Sequence, residues 1–574
     1  MKEVLKYYGR YIPLVLVLLV FLYIQATCEL ALPGYMADIV DSGILKGNQE
    51  YIYQVGIRML GLSMVSLVCF LVVGLIAAVV SASVVKRLRD DFFQKTTYFS
   101  KAEIQKFSTA SLITRATNDM QQIQTTSVMI MRMAFFAPIM GACALVRAIA
   151  TSPSLSWTIG VAVIAVFVQM LVTLKVTMPR FTRVQKLVDR LNLVVNERLS
   201  GILVVRGFCA ESREEKRFDQ VNRELTDVNI FINRVMSLNM PLMMTIMNLT
   251  TMLVVWVGAG LVETGNLEIG SILAFIQYAM HVIMSFLFIS LIFIMVPRSL
   301  VAAKRVGEVL VVENSIKEDE NPIFPEISGQ VEFKNVSFKY PDADEYVLKD
   351  ISFTAKRGET TAIIGSTGSG KSTLINLIPR FYDVSEGSIL IDGVDIRKMS
   401  QKHLRDNIGY VPQKGVLFSG TIESNLRFGK EEASYDEMEE AAGVAQALDF
   451  ILDKKEGFAE PIAQGGNNVS GGQKQRLSIA RALVKKPPVY IFDDSFSALD
   501  YKTDAALRKA LSADVTDATK IIVAQRISTI RDADKILVMD EGRIVDMGKH
   551  QQLLKSCQVY REIAESQLDK GEML

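Results

Sequence analysis

Gly365-Ser366-Thr367-Gly368-Ser369-Gly370-Lys371-Ser372-Thr373 decides how the second half of this chain is read. The apolar residues 360–364 before it have the composition of a buried strand, and residues 372–377 after it read as the opening of a helix. A strand, a glycine-rich loop ending in Gly-Lys-Ser and a helix together make a phosphate cradle. The glycines let backbone N–H groups wrap phosphate oxygens, Lys371 neutralises the outer phosphates, and the Ser372 hydroxyl suits Mg2+.

Two further stretches extend that reading. Val489-Tyr490-Ile491-Phe492-Asp493 is a second apolar strand ending in a carboxylate, about 120 residues after the loop. That placement sets Asp493 near the metal, through water. Between them, Ser470-Gly471-Gly472-Gln473 opens a helix that the apolar pattern places over residues 477–484. From residue 329 onward strands and helices alternate, as in an α/β domain.

Working toward the N-terminus, the composition changes. Half of the 574 residues are hydrophobic while 22% are charged, and the mean hydropathy is +0.26. Both figures hold only if the two classes are segregated. Residues 11–28, 59–85, 148–174, 235–262 and 269–297 lack Asp, Glu, Lys and Arg altogether. Each is long enough to cross about 30 Å of hydrocarbon. A sixth span, residues 124–149, is interrupted by Arg132 and Arg147, and parity requires it; Arg147 is expected near its outer end. Basic residues gather at the N-terminus, in 86–115 and in 180–234, so these segments and both termini face the cytosol. The run from Met59 to Phe107, as helix, spans roughly 70 Å, so the helices extend into the cytosol and turn there. Residues 100–107 and 208–218 are the expected turns. Met240, Met243, Met244 and Met247 follow one helical face, which suits either ordinary packing or a soft wall for apolar substrates. Gln169, Asn239, Asn248, Gln277 and His281 offer polar contacts to a substrate or to a neighbouring helix.

The net charge of +1 gives no overall pull toward nucleic acid, which is not an expected partner. Five cysteines and three histidines are scattered without metal-ligand spacing.

Taken together, these motifs resemble the ATP-binding cassette (ABC) exporters along nearly the whole chain. The resemblance implies a membrane α-helical bundle of six transmembrane helices with long cytosolic extensions, fused to an α/β P-loop ATPase domain. It divides the chain into residues 1–303, a linker at 304–328, and a nucleotide-binding domain at 329–574. It implies ATP and Mg2+ as cofactors, the latter held by Ser372, Gln413 and Asp493. Tyr340 matches the aromatic that stacks on adenine, Gln413 the glutamine at the metal, and Asp500 the loop between paired ATP sites. Residues 109–119 are similar to the first inner loop of the family. Ser470, Gly471, Gly472 and Gln473 match the signature that completes the ATP site of a second half-transporter. The implied setting is the plasma membrane, and the implied cargo is a small lipophilic substrate moved out of the cytosol by alternating access.

Two positions depart from the family pattern. Asp494 stands where the family places Glu as general base, one methylene shorter. Gln525 stands where it places His against the outer phosphate. Gln464 replaces another frequent Glu, with no consequence drawn. The paired departures imply a degenerate chain working beside a competent partner; the alternative is a homodimeric lipid or peptide exporter that hydrolyses slowly with Asp494 as base.

Overall fold

The computed structural model describes residues 2–341 and 343–567. They form two compact units: residues up to 97 with 108–312, and residues 98–107 with those from 313 onward.

The first unit is helical. Its main elements are α1 (Ile12–Asp38), α2 (Gln49–Thr97), α4 (Thr109–Thr151), α5 (Ser156–Ser200), α7 (Glu211–Ser237) running into α8 (Asn239–Glu263), and α9 (Ile269–Val311). The short helices α3 (Lys101–Phe107) and α6 (Ile202–Gly207) lie between them in sequence. Six segments are long and apolar enough to cross a membrane, the interrupted one included. Their solvent is lipid: Leu60, Leu75, Ile164 and Trp256 stay outward, while Ala77, Val84, Ala144 and Phe275 fill the interior. α4 carries two π-helical turns, Arg115–Asp119 and Ile130–Ala134.

Several expectations need correction here. The charge-free stretch 11–28 is part of a longer helix, which continues through Glu29 and Pro33 to Asp38. The turn expected at residues 208–218 lies at 208–210, because Glu211 already starts α7 with acidic residues in its first turn. The turn expected at residues 100–107 is made by the short helix α3 and its flanks. The segment read as a linker from residue 304 is helical up to Val311, as the end of α9. Of the methionine face, Met243 is buried and packs with Met247 beside Val166 and Ile283, whereas Met240 and Met244 are exposed. Gln169 donates to the Asn239 carbonyl at 3.1 Å, and Thr173 to Asn239 Oδ1 at 3.0 Å, so these groups join α5 to α8.

The second unit is built on two sheets. β1 (Val331–Phe338), β2 (Leu348–Ala355), β4 (Glu386–Ile391) and β5 (Val394–Asp395) form an antiparallel sheet in the order β2-β1-β4-β5. β3 (Thr360–Gly365), β6 (Ile408–Val411), β7 (Val489–Asp493), β8 (Thr519–Val523), β9 (Lys535–Asp540) and β10 (Arg543–Gly548) form the other, ordered β10-β9-β3-β8-β7-β6. All its pairs are parallel except β9 with β10. Its central strands are apolar on both faces, as expected of a covered parallel sheet. Ile364, Phe492 and Ile522 enter one core; Ile363, Ile491 and Ile521 enter the other. The signature helix α11 (Gly471–Val484) begins six residues before the apolar pattern suggested, because its first turn is polar.

Residues 98–107 belong to this unit through hydrogen bonds. The buried Glu103 accepts from Ser100 N at 2.8 Å and Ser315 N at 3.1 Å; Asn314 Nδ2 donates to the Tyr98 carbonyl at 2.9 Å. At the entry to β1, Asp392 accepts four bonds of 2.7–3.0 Å, from the backbone of Ser328, Gly329 and Gln330 and the Ser328 hydroxyl. Burial opposes its ionisation, but these bonds prevail and hold its carboxyl below the usual range. A depressed folded value contributes stability above the unfolded value near 3.9, lost as pH falls through the folded one. Asp392→Asn should therefore destabilise the chain by about 1–3 kcal/mol at neutral pH. The gap should close below about pH 4, measured by thermal unfolding of the two proteins across pH.

Candidate functional site

The parallel register of the second sheet assembles the site. β3 pairs with β8 so that Ile363 faces Val523, and β8 pairs with β7 so that Val523 faces Asp493. The carboxyl ends of three strands therefore finish at one level, and the loops that leave them carry residues 365–373, Asp493–Asp494 and Gln525. Ligands bind α/β sheets at this edge.

The loop after β3 has no room for side chains where it turns. Gly365 has φ +157°, and a Cβ there would stand 2.1 Å from the Met539 carbonyl oxygen. Gly368 and Gly370 also have positive φ, 89° and 94°. The loop feeds α10 (Lys371–Leu377), one residue earlier than the apolar pattern suggests. Lys371 Nζ curls back over the loop, donating to the Gly365 and Ser366 carbonyls at 2.8 and 2.6 Å. Burial holds its pKa below the usual lysine range, against the pull of Asp494 and Asp493. Ser369 is buried beneath it. Ser366 and Thr367 are exposed at the loop tip.

The carboxylates form a hydrogen-bonded knot. Ser372 Oγ donates to Asp493 Oδ1 at 2.9 Å. Asp494 Oδ2 accepts from Gln525 Nε2 at 2.8 Å and from Gln413 Nε2 at 3.2 Å. Its backbone N–H donates to the Val523 carbonyl at 3.0 Å, and its φ of +45° lies in a left-handed region that Asp tolerates better than most residues. Burial raises the pKa of both carboxyls; for Asp493 the neighbouring Asp494 adds to it, while Ser372, Gln413 and Lys371 pull the other way.

Tyr340 lies just beyond β1. Its hydroxyl is 2.9 Å from Thr373 Oγ1, and its ring meets Phe338 and Tyr382 edge-on. Tyr382 in turn donates to Gln105 Oε1 at 3.2 Å, linking the aromatic cluster to residues 98–107. Sequence reading missed Tyr382 and Gln105, since neither belongs to a motif.

The remaining residues stand apart from this knot. Ser470 and Gln473 cap α11 reciprocally: Gln473 N donates to Ser470 Oγ at 3.2 Å and Ser470 N to Gln473 Oε1 at 3.0 Å. Ser470 and Gly471 are exposed, and among the described residues the signature shares no hydrogen bond with the phosphate loop. Asp500 caps the helix α12 (Tyr501–Asp514), accepting from Thr503 N and Oγ1 at 2.9 and 2.8 Å.

The sequence profile of the ABC transporter transmembrane region matches residues 15–286, and that described as ABC transporter matches residues 348–497. An ABC transporter ATP-binding protein of Mycobacterium tuberculosis (strain CDC 1551 / Oshkosh) is 38% identical over 559 residues, 96% of either chain. This chain belongs to the ABC transporters. An ATP-dependent lipid A-core flippase of Syntrophus aciditrophicus (strain SB) is 30% identical, covering 100% of this chain and 95% of the flippase. A bacterial Atm1-family ABC exporter, solved with ATP bound, superposes with a TM-score of 0.79 at 26% identity, over 97% of this chain and 99% of that one. The exporter is thus a multi-pass plasma-membrane protein whose ATP-binding domain couples ATP hydrolysis to transport.

The loop geometry separates two glycine substitutions of the exporter. Gly365→Ala drives a Cβ into backbone and should weaken ATP binding at least 100-fold. A Cβ at Gly368 meets nothing within 4 Å, so Gly368→Ala should cost only the left-handed penalty. That penalty is about 1 kcal/mol, or roughly fivefold. Titration with a fluorescent ATP analogue checks both.

Proposed function

We propose that this chain is the degenerate half of a heterodimeric exporter for lipophilic, drug-like substrates. Its own ATP site holds nucleotide and hydrolyses it slowly, and its signature, Ser470–Gln473, completes the competent site of a second half-transporter. The observation that carries this reading is the pair of amides on Asp494 Oδ2. A general base must present its carboxylate to water within hydrogen-bond reach. Asp494 is one methylene shorter than Glu, and its outer oxygen already accepts from Gln413 and Gln525. A retreat of about 1 Å costs on the order of 10²-fold in rate. Gln525 donates a hydrogen bond but carries no positive charge toward an outer phosphate.

The roles of the other residues follow from chemistry and placement. Gly365–Gly370 supply backbone donors for phosphate, Lys371 supplies charge, and Tyr340 supplies a flat face for adenine. The Ser372 hydroxyl, the Asp493 carboxylate and the Gln413 amide oxygen are hard oxygen donors suited to Mg2+, and the 2.9 Å Ser372–Asp493 contact sets two of them side by side. The ion, when bound, would neutralise phosphate charge. Asp500 stiffens the loop after β7 through its cap on α12. The division at residues 303 and 329 is kept as the functional one. Export of lipophilic cargo is supported by the apolar spans and by the likeness to a lipid A-core flippase.

Purified alone, the chain should show negligible ATPase activity, rising when it is combined with the exporter half encoded nearest to it. Asp494→Glu with Gln525→His should raise the rate of the isolated chain by about 10²-fold. Robust activity of the unmodified chain alone, lost on Asp494→Asn, would instead establish a homodimer with Asp494 as working base.

A further inference from the structure

Within the membrane unit two opposite charges lie inside segments long and apolar enough to cross a membrane. Glu29 sits on α1, nineteen residues from Arg10 and nine from Asp38. Arg132 sits in a π-helical turn of α4, thirteen residues from Asp119 and fifteen from Arg147. Each is therefore at least about 13 Å of helix from the next charged side chain on its own span. Ionisable groups within membrane-spanning segments are costly and mark ligand or ion paths.

Both charges meet α2 one turn apart. Glu29 Oε1 accepts from Ser66 Oγ at 3.2 Å and from Gln25 Nε2 at 2.9 Å. The Arg132 guanidinium lies over the Phe70 ring, 4.9 Å from its centroid. Ser66 and Phe70 are i and i+4, separated by roughly 6 Å along the helix. Among the described residues Glu29 and Arg132 form no ion pair with each other or with a third group. No described donor reaches Glu29 Oε2, and no described acceptor meets the Arg132 N–H groups. Neutral neighbours hold each charge in place, and one side of each is left for something else. Arg132 lies in a π-helical turn, a feature frequent at functional sites.

We propose that Glu29 and Arg132 bind the headgroup of a zwitterionic amphiphile, a lipid bearing both an ammonium and a phosphate. The ammonium meets Glu29 Oε2, the phosphate meets the planar fork of Arg132, and the tails lie along the apolar spans. This rests on the reading of lipophilic export and names its substrate class. A pure cation leaves Arg132 unanswered and a pure anion leaves Glu29 unanswered, so only a headgroup with both charges satisfies the site.

The test uses the assembled exporter in maltoside micelles, with fluorescence-monitored binding of acyl-labelled phosphatidylethanolamine and phosphatidylglycerol. Wild type should bind the ethanolamine lipid roughly tenfold more tightly, the scale of one charge-assisted hydrogen bond. Glu29→Gln should bring it down to the glycerol lipid and leave the latter unchanged, while Glu29→Asp keeps part of the preference. Arg132→Gln should weaken both lipids at least tenfold, and Arg132→Lys should restore part of that. Equal binding of the two lipids by wild type, or an unchanged ratio in Glu29→Gln that keeps its ATPase activity, overturns the assignment. If wild type ignores both lipids but tetraphenylphosphonium stimulates its ATPase, this site assignment falls and lipophilic export stands. If no probe binds or stimulates, both fall.

Discussion

The in-register parallel pairing of β3, β8 and β7 is the constraint on which the ATP-binding unit depends. Parallel strands need long crossovers, so residues more than a hundred positions apart in sequence are brought to one sheet edge only by the ladder of backbone bonds. A slip of one residue would send every side chain to the wrong core, because Ile363 and Ile364 already face opposite sides. The apolar faces on either side therefore fix the level at which Gly365, Asp493 and Val523 end, and with it the site.

At that edge two neighbouring carboxyls are held by side-chain hydrogen bonds. Burial opposes the ionisation of both Asp493 and Asp494. Here one is tied to Ser372, and the other receives two neutral amides. Hydrogen bonds from the Gln413 and Gln525 amides steady the Asp494 carboxylate, the feature on which the proposed slow hydrolysis rests. The left-handed backbone at Asp494 fits the same description, since a short side chain that bonds locally is at home there.

Much of this was legible in the sequence because its motifs are dictated by backbone geometry. The glycines at 365, 368 and 370 all have positive φ, and no other residue type serves that loop as well. The six spans were legible from the absence of charge. What was not legible came from context. Glu29 bounds the charge-free stretch in the sequence, and only the fold sets Gln25 and Ser66 beside it. Tyr382 and Gln105 carry no motif and meet only through the fold. The helical residues 304–311 looked like a linker because they are charged, and charge marks the end of a membrane span but not of a helix. The first turn of α11 was invisible to an apolar pattern, since its residues cap the helix instead of packing.

The most direct measurement of the central claim is the chemical state of the nucleotide held on this chain after turnover. The exporter is incubated with Mg2+ and ATP labelled on the adenine-bearing side, stripped of free nucleotide, and cross-linked so that each half can be analysed. The account predicts intact ATP on the half carrying Lys371 and ADP on its partner. ADP on this half, formed at the rate of transport, would contradict it.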